Sequence, residues 1–153
     1  MSNRRIILLA HNVRSMWNVG AFFRTSDALS IEKIYLTGYT AYPPRKEIAK
    51  VALGADETVP FEHAEDPIPV LRQLKEEGWQ LVALELTPTA VDLTTFHPSD
   101  KLCLIVGHEL SGIPDEQISL CDITVKIPML GQKESLNVAI ATGIALYQLR
   151  HSK

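Results

Sequence analysis

The chain has 153 residues, of which 46% are apolar, 22% charged and 7% aromatic, with 15 Lys and Arg residues against 18 Asp and Glu residues. This balance is typical of a globular protein and excludes a disordered, collagen-like or disulfide-stapled chain. A chain of this length buries about 70% of the surface that it exposes when unfolded, and we expect one domain over residues 1–153.

Short apolar runs alternate with helical patterns along the chain, which is typical of an α/β fold with a mostly parallel sheet flanked by helices. The sequence predicts six strands, at Arg4–Ala10, Lys33–Thr37, Glu57–Phe61, Gln80–Leu86, Lys101–Val106 and Ile123–Ile127.

Five helices are predicted between and after these strands. They run over Val19–Leu29, from the Pro43-Pro44 pair to Leu53, over Pro67–Glu77, from Pro114 towards Cys121, and over Leu136–Arg150. Asn18 stands where it would cap the first helix. Gly54 and Gly78 stand where the second and third would end.

The last predicted helix has no charged residue from Leu136 to Leu149 and is apolar on nearly every side. Such a helix is buried on every side, yet a terminal helix of a small domain covers a sheet with only one face. Small residues within it, such as Ala141 and Gly143, allow another helix to approach closely. We therefore expect a homodimer; the alternative is a helix wedged centrally in a monomer.

No segment approaches the roughly 20 apolar residues that cross a bilayer. The run from Ile6 to Ala10 is too short for the core of a secretion signal. Cys103 and Cys121 have neither metal-ligand nor CxxC spacing. We therefore expect a cytoplasmic protein with no membrane contact and no structural metal.

Positive charge is concentrated in residues 1–50, which carry eight basic and three acidic residues, whereas the remainder carries seven and fifteen. Basic groups that share one face attract a polyanion even in an acidic protein, because phosphate contacts depend on local charge. A solvated mixture of charges without function explains the same distribution equally well.

Several common catalytic motifs are absent. No GxGxxG follows the first strand, and the chain has no GxxxxGK[ST] phosphate loop. His108-Glu109 begins like a zinc-protease motif, but Gly112 stands where the second histidine is required. Ser111 is not part of a GxSxG elbow, because Glu109 precedes it by two positions.

Three polar clusters follow predicted strands, at residues 18–24, 107–114 and 127–131, the last continuing to residues 135–137. Parallel sheets bind their ligands at this edge. Each cluster alone has an ordinary explanation: Asn18 and Ser135 cap helices, Arg24 pairs with Asp27, and the glycines turn the chain.

Taken together and in order, the segments NVGAFFRTSDA, VGHELSGIP and IPMLGQKESLNVAIA resemble the three signature motifs of the SpoU-type (TrmH-like) branch of the SPOUT superfamily, the 2'-O-ribose RNA methyltransferases. The resemblance extends over almost the whole chain. It implies an α/β domain whose C-terminal part is threaded into a deep trefoil knot, and a homodimer with its site near the subunit boundary. Topology alone argues against a knot, since knots are nearly absent from proteins.

The resemblance also implies that S-adenosylmethionine binds in the knotted loops. The residues that it places around this cofactor are Leu84, Glu85, Leu86, Gly107, Glu109, Ile127, Met129, Ser135 and Leu136. Apolar side chains here would enclose the adenine while backbone groups read its edge. Glycine at positions 107 and 112 would let the main chain approach the ligand.

The resemblance assigns activation of the ribose 2'-hydroxyl to Arg24, with Asn18, Glu109, Ser135 and Asn137 organising the site. A guanidinium stays protonated at neutral pH, so we expect Arg24 to bind the adjacent phosphate and to stabilise the forming alkoxide. Acceptance of the proton by Arg24 stays open as an alternative.

Many members of the family carry an extra RNA-binding domain or basic extensions, whereas this sequence matches a minimal catalytic domain. The dimer surface would then bind RNA through phosphate contacts. The candidates are Arg14, Arg24, Arg45, Lys46 and Lys50. Small relatives act on tRNA and larger ones often on ribosomal RNA, which favours tRNA.

Two other functions are alternatives to methyl transfer. A non-catalytic RNA-binding module would keep the fold without turnover, and the retained Asn18, Arg24 and Glu109 speak against it. A flavodoxin-like domain that binds a small nucleotide would leave the three-motif agreement unexplained.

Overall fold

The structure is a computed structural model and describes residues 3–153. Its strands are β1 (Arg5–His11), β2 (Lys33–Thr37), β3 (Phe61–Ala64), β4 (Gln80–Leu84), β5 (Val91–Asp92), β6 (Lys101–Val106) and β7 (Ile123–Lys126). Within the described range they form one seven-stranded sheet in the order β3-β2-β1-β6-β4-β7-β5. Every pair of neighbouring strands is parallel, which confirms the predicted α/β fold.

The helices are α1 (Met16–Ala28), α2 (Lys46–Ala52), α3 (Ala55–Thr58), α4 (Pro67–Glu76), α5 (Asp115–Ile118) and α6 (Val138–His151), with a 3₁₀ turn at Leu93–Thr95. Among them, no helix is long and apolar enough to cross a membrane. The trefoil knot implied by the family resemblance stays a prediction.

Both faces of the sheet are covered. Ile6 and Leu8 of β1 pack on one side with Phe22 of α1, in a core that also includes residues of α2 and α6. Ile7 and Leu9 point to the other side and pack with residues of α4. This explains why the inner strands are apolar at consecutive positions, because a parallel sheet with helices on both faces has no solvent side.

The predicted strand at Glu57–Phe61 is wrong. Ala55–Thr58 forms α3 instead, and the strand follows it at Phe61–Ala64. Gly54, at φ +96°, starts this helix, and two acidic residues in its first turn favour the helix N-terminus. Pro60 has no N–H but accepts a hydrogen bond from Ile34 N and so leads into β3.

The other predictions differ from the structure mainly at their ends. The strands at Lys33–Thr37 and Lys101–Val106 are confirmed residue for residue. The strand predicted at Gln80–Leu86 ends two residues earlier, at Leu84. The strand predicted at Ile123–Ile127 ends one residue earlier, at Lys126. The short strand β5 and the 3₁₀ turn after it carry no periodic pattern and were not predicted.

The first helix begins at Met16, three residues before the predicted start. Ser15 is its cap, since Ser15 Oγ accepts a hydrogen bond from Asn18 N at 3.2 Å. The predicted capping role of Asn18 is therefore wrong, and this residue lies buried within the first turn of the helix. The last helix likewise begins at Val138 and is capped by Asn137, not by Ser135.

Arg150 joins the end of α6 to the start of the sheet. Its Nε donates to Leu29 O at 2.9 Å, its Nη2 donates to Ser30 O at 2.9 Å, and its Nη1 donates to Arg4 O. Arg4 in turn donates from Nη1 to Leu149 O at 2.6 Å. The two arginines thus supply donors to carbonyl groups that the ends of α1 and α6 leave without helical partners.

We expect Arg150→Met to lower the free energy of unfolding by about 3 kcal/mol, because three backbone carbonyls lose a charged donor while the apolar stem is kept. Urea unfolding followed by circular dichroism measures this loss. The exposed Arg72 of α4 supplies the control, and Arg72→Met should change stability by less than about 0.5 kcal/mol. Equal stability of the two variants would show that the Arg150 bonds contribute nothing.

Candidate functional site

Three loops meet where β1, β6 and β7 end. Residues 12–15 follow β1 and lead into α1, residues 107–113 follow β6, and residues 127–137 follow β7. The carboxyl ends of parallel strands lie on one edge of the sheet, so Asn18, the first residue of the first polar cluster, is brought to the same side of the molecule as the other two clusters.

The carboxylate of Glu109 joins the second loop to the start of α1. It accepts hydrogen bonds from Arg14 N and Ser15 N, both at 3.0 Å, and from Asn18 Nδ2 at 3.1 Å. Partial burial raises the pKa of Glu109, but the hydrogen bonds that it accepts lower the pKa by more, and the net pKa lies below its ordinary value. Glu109 is therefore held as a carboxylate.

Asn18 extends this connection to the last helix. While its Nδ2 donates to Glu109, its Oδ1 accepts from Asn137 Nδ2 at 3.3 Å. Asn137 Oδ1 accepts from Ala139 N at 2.8 Å and from Ile140 N at 3.2 Å, which caps α6. One chain of hydrogen bonds therefore connects residues from all three sequence motifs.

A second carboxylate holds the far end of the 107–113 loop. Glu85 Oε2 accepts a hydrogen bond from Ile113 N at 2.9 Å. Gly112 has φ +73°, and a Cβ added there would lie 2.5 Å from Glu85 Oε1. A Cβ on Gly107 would lie 2.6 Å from Gly112 O. Gly107 is thus required by a backbone contact within the protein, and Gly112 is favoured by its left-handed backbone, both without reference to a ligand.

His108 shapes the tip of the same loop. Its Nδ1 accepts hydrogen bonds from Leu110 N at 3.0 Å and Ser111 N at 3.1 Å. A nitrogen that accepts carries no proton, so this geometry assigns the proton of the neutral ring to Nε2.

A cavity of about 400 Å³ lies between these loops, a size within the range of small-molecule sites. All nine residues that the resemblance places around a cofactor line it, namely Leu84, Glu85, Leu86, Gly107, Glu109, Ile127, Met129, Ser135 and Leu136. Its wall also includes seven further residues, namely Val106, His108, Leu110, Gly112, Glu134, Val138 and Ala141, of which only Gly112 was expected to lie beside the ligand. All seven lie within the second and third sequence motifs, so the motifs could have indicated them.

Arg24 stands apart from this cavity in its own chain. It does not line the cavity, and its side chain is exposed on α1. None of the ion pairs or side-chain hydrogen bonds found for residues 3–153 involves its guanidinium, so the alternative of a pair with Asp27 is not formed. The guanidinium is therefore available to a group outside the chain.

The remaining basic candidates lie on the surface. Arg14, Arg45, Lys46 and Lys50 are exposed, and the last two lie on α2. Only the backbone of Arg14 is tied to the site, through its hydrogen bond to Glu109. Within residues 3–153, no group of His, Cys, Asp or Glu residues has an arrangement suited to a metal ion.

Comparison with known proteins identifies relatives whose similarity extends over all three loops of the site. A tRNA (guanosine(18)-2'-O)-methyltransferase of Aquifex aeolicus is 33% identical over 149 residues, which are 97% of this chain and 70% of that protein. The 23S rRNA (guanosine-2'-O-)-methyltransferase RlmB of Neisseria meningitidis is 29% identical over 153 residues, which are 100% of this chain and 61% of that protein.

A solved structure shares the fold closely. The AdoMet-bound rRNA methyltransferase from Sinorhizobium meliloti superposes with a TM-score of 0.89 at 31% identity, covering 98% of this chain and 58% of that one. Across these three proteins, the chain spans between 58% and 70% of the length of its relative. The model of the SpoU rRNA methylase family matches residues 5–147. The chain therefore belongs to the SpoU rRNA methylase family.

Proposed function

We propose that residues 1–153 form a single SpoU-type domain that transfers a methyl group from S-adenosylmethionine to a ribose 2'-hydroxyl of RNA. The observation that carries the proposal is the cavity of about 400 Å³ whose wall is tied by Glu109 and Asn18 to the starts of α1 and α6. The relatives named as 2'-O-methyltransferases support the same reaction.

The wall of the cavity suits this methyl donor. Leu84, Ile127 and Met129 offer apolar surface for an adenine ring. Glu134 also lines the cavity and makes no ion pair with any residue from 3 to 153, so a carboxylate faces the space where a cationic ligand would lie. When bound, the donor supplies an electrophilic methyl group on a positively charged sulfur.

The residues of the chain would contribute mainly position and charge. Glu109 and Asn18 are both engaged in hydrogen bonds and hold the loops in place, which leaves neither well placed to take a proton. The 2'-hydroxyl becomes negatively charged as it loses its proton, and a fixed cation stabilises that charge. Arg24 is the cation that we assign to this role, together with binding of the adjacent phosphate.

The position of Arg24 favours a second copy of the chain as its place of action. Since Arg24 does not line its own cavity, we propose that it acts at the cavity of a partner in a homodimer. An apolar stripe supports this assembly: Ile140, Ile144 and Tyr147 follow one another at helical spacing on α6 and are exposed in the single chain. α1, which carries Arg24, packs beside α6.

Among RNA substrates we propose tRNA. The relative from Aquifex aeolicus, 70% of which this chain spans, is named for tRNA, whereas the rRNA enzyme from Neisseria meningitidis is spanned to 61%. Methylation of purified total tRNA and of ribosomal RNA with a labelled donor tests this choice. Labelling of ribosomal RNA alone would reverse it.

We expect Arg24→Ala to lower the rate of methyl transfer to RNA at least about 100-fold, because the forming alkoxide loses its stabilising charge. Affinity for S-adenosylmethionine, measured by calorimetry, should stay within twofold of wild type, since Arg24 lies outside the cavity wall. Asp27→Asn, at an exposed position of the same helix, is the control and should keep full activity. Wild-type turnover by Arg24→Ala would refute the assigned role, and transfer by neither variant nor wild type would favour a module that only binds RNA.

We expect Ile144→Asp to convert the dimer to monomers in sedimentation velocity, because a charge would be buried in the apolar contact. Leu53→Asp is the matched control, because Leu53 is also apolar and 68% exposed but lies at the end of α2. An unchanged dimer in Ile144→Asp would exclude the α6 stripe as the interface.

We expect Glu109→Gln to lower stability by about 1–2 kcal/mol at neutral pH, because the charged acceptor of three hydrogen bonds is lost. The pKa of Glu109 is lower in the folded chain, so its contribution is complete above the unfolded-state pKa of about 4.3 and is lost as the pH falls through the folded-state pKa. Urea unfolding from pH 7 to pH 3 should therefore show the gap between wild type and variant closing below about pH 4. The exposed Glu116→Gln is the control, and a gap that does not change with pH would contradict the assigned cause.

A further inference from the structure

Two exposed tyrosines lie beside the site and are not used by the proposed reaction. Tyr39 is 59% exposed and Tyr42 is 43% exposed. Both lie in the loop between β2 and α2, at the same edge of the sheet as the cavity. Large exposed aromatic rings so close together indicate a contact surface. We call Tyr39, Tyr42 and the two histidines against which they pack, His63 and His108, the aromatic rim.

The backbone that carries Tyr39 is held in an unusual conformation. Asn12 has φ +53°, and its Oδ1 accepts a hydrogen bond from Tyr39 N at 3.0 Å. Gly38 has φ +67°, and a Cβ there would lie 1.9 Å from Asn12 Oδ1. A left-handed asparagine costs free energy, and such residues concentrate at functional sites. The turns after β1 and β2 are thus locked together in a way that fixes the position of Tyr39.

The rings themselves are also fixed. Tyr42 stacks on His63 with 4.2 Å between ring centroids and 23° between planes, and His63 is held by donation from Nδ1 to Leu36 O at 2.9 Å. Tyr39 meets His108 edge-on, with 6.5 Å between centroids. Because His108 lines the cavity, the rim reaches from the cavity wall outwards across the ends of β2 and β3.

Charge beside the rim favours a polyanion. Arg45, Lys46 and Lys50 follow Tyr42 within eight residues and are exposed, with Glu47 as the acidic residue among them. On the β3 side the rim borders Glu65, whose carbonyl accepts a hydrogen bond from Gly38 N. A nucleic-acid backbone would therefore run along the α2 side of the rim, where cations are in excess.

We propose that the aromatic rim stacks unpaired bases next to the nucleotide whose ribose is methylated, which makes a single-stranded loop of RNA the substrate class of this site. This inference rests on the proposed function for the identity of the neighbouring nucleotide. Bases inside a duplex have their faces covered by their neighbours, whereas unstacked bases bind to exposed aromatic rings. Such stacking tolerates different sequences because every base has an aromatic face.

Binding of short RNA probes tests the rim without requiring turnover. Fluorescence anisotropy would compare a 12-nucleotide oligo(A) strand with a 12-base-pair RNA duplex on the full chain. We expect wild type to prefer the single strand, and Tyr39→Ala and Tyr42→Ala each to lower its affinity for the strand about tenfold. Tyr39→Phe and Tyr42→Phe keep the ring and should bind like wild type. Leu53→Ala, an exposed apolar residue at the far end of α2, should also bind like wild type.

The controls separate this proposal from the reaction itself. Affinity for S-adenosylmethionine should be unchanged in the alanine variants, which shows that they are folded. Unaltered binding of oligo(A) by both alanine variants, or equal loss of affinity in the phenylalanine and alanine variants, overturns the stacking role. If wild type transfers no methyl group but the alanine variants still lose single-strand binding, the stacking role of the rim is supported and the proposed function fails. If wild type transfers a methyl group and the alanine variants bind the single strand normally, the proposed function is supported and the stacking role fails.

Discussion

The carboxylate of Glu109 is the constraint on which the arrangement of the site depends. Backbone amides directly before a helix have no acceptor in its hydrogen-bond ladder and need one elsewhere. Glu109 comes from the loop after β6 and accepts hydrogen bonds from Arg14 N and Ser15 N, where α1 begins after β1. Through Asn18 and Asn137 the same constraint continues to the cap of α6. Loops that are separated by about 90 and 120 residues in the chain therefore keep one relative position.

Glu85 has a similar task on the opposite side of the cavity. Its carboxylate accepts a hydrogen bond from Ile113 N, and the left-handed Gly112 packs against it. Two of the acidic residues in the cavity wall are thus engaged in holding the wall together, whereas Glu134 has no ion pair within the described chain. A wall that is fixed before a ligand arrives loses less conformational entropy on binding, which is the property required of a site that must align a donor and an acceptor within a fraction of an ångström.

Much of the fold and of the candidate site was predictable from sequence, and the predictions that failed did so for physical reasons. The strand at Lys101–Val106 was predicted residue for residue because a continuous apolar run marks a strand covered on both faces. The strand at Lys33–Thr37 was predicted as well because it is rich in β-branched and aromatic residues. The prediction at Glu57–Phe61 failed because a four-residue helix has no period to detect. Asn18 looked like a helix cap because caps and buried polar links use the same residue types, and only the tertiary structure shows that Glu109 and Asn137 are its partners. The nine cavity residues came from motif resemblance, and no pattern of hydrophobicity indicates them.

Two surface features of the single chain, the exposed Arg24 and the exposed apolar stripe of α6, indicate contacts with other molecules. Arg24 is exposed on α1 and has no ionic partner in the described chain, so the role that we propose for it depends on another molecule that approaches there. The exposed apolar residues on α6 also indicate a contact with another molecule. Exposure of three of them along one stripe to water is unfavourable, and burial against a partner helix would be favourable. If the cavity of one chain is completed by Arg24 of another, then the RNA must enter along the boundary between the copies, with its phosphates near Arg24. A dimer is then a requirement of the chemistry, since neither copy alone holds both the donor cavity and the stabilising charge.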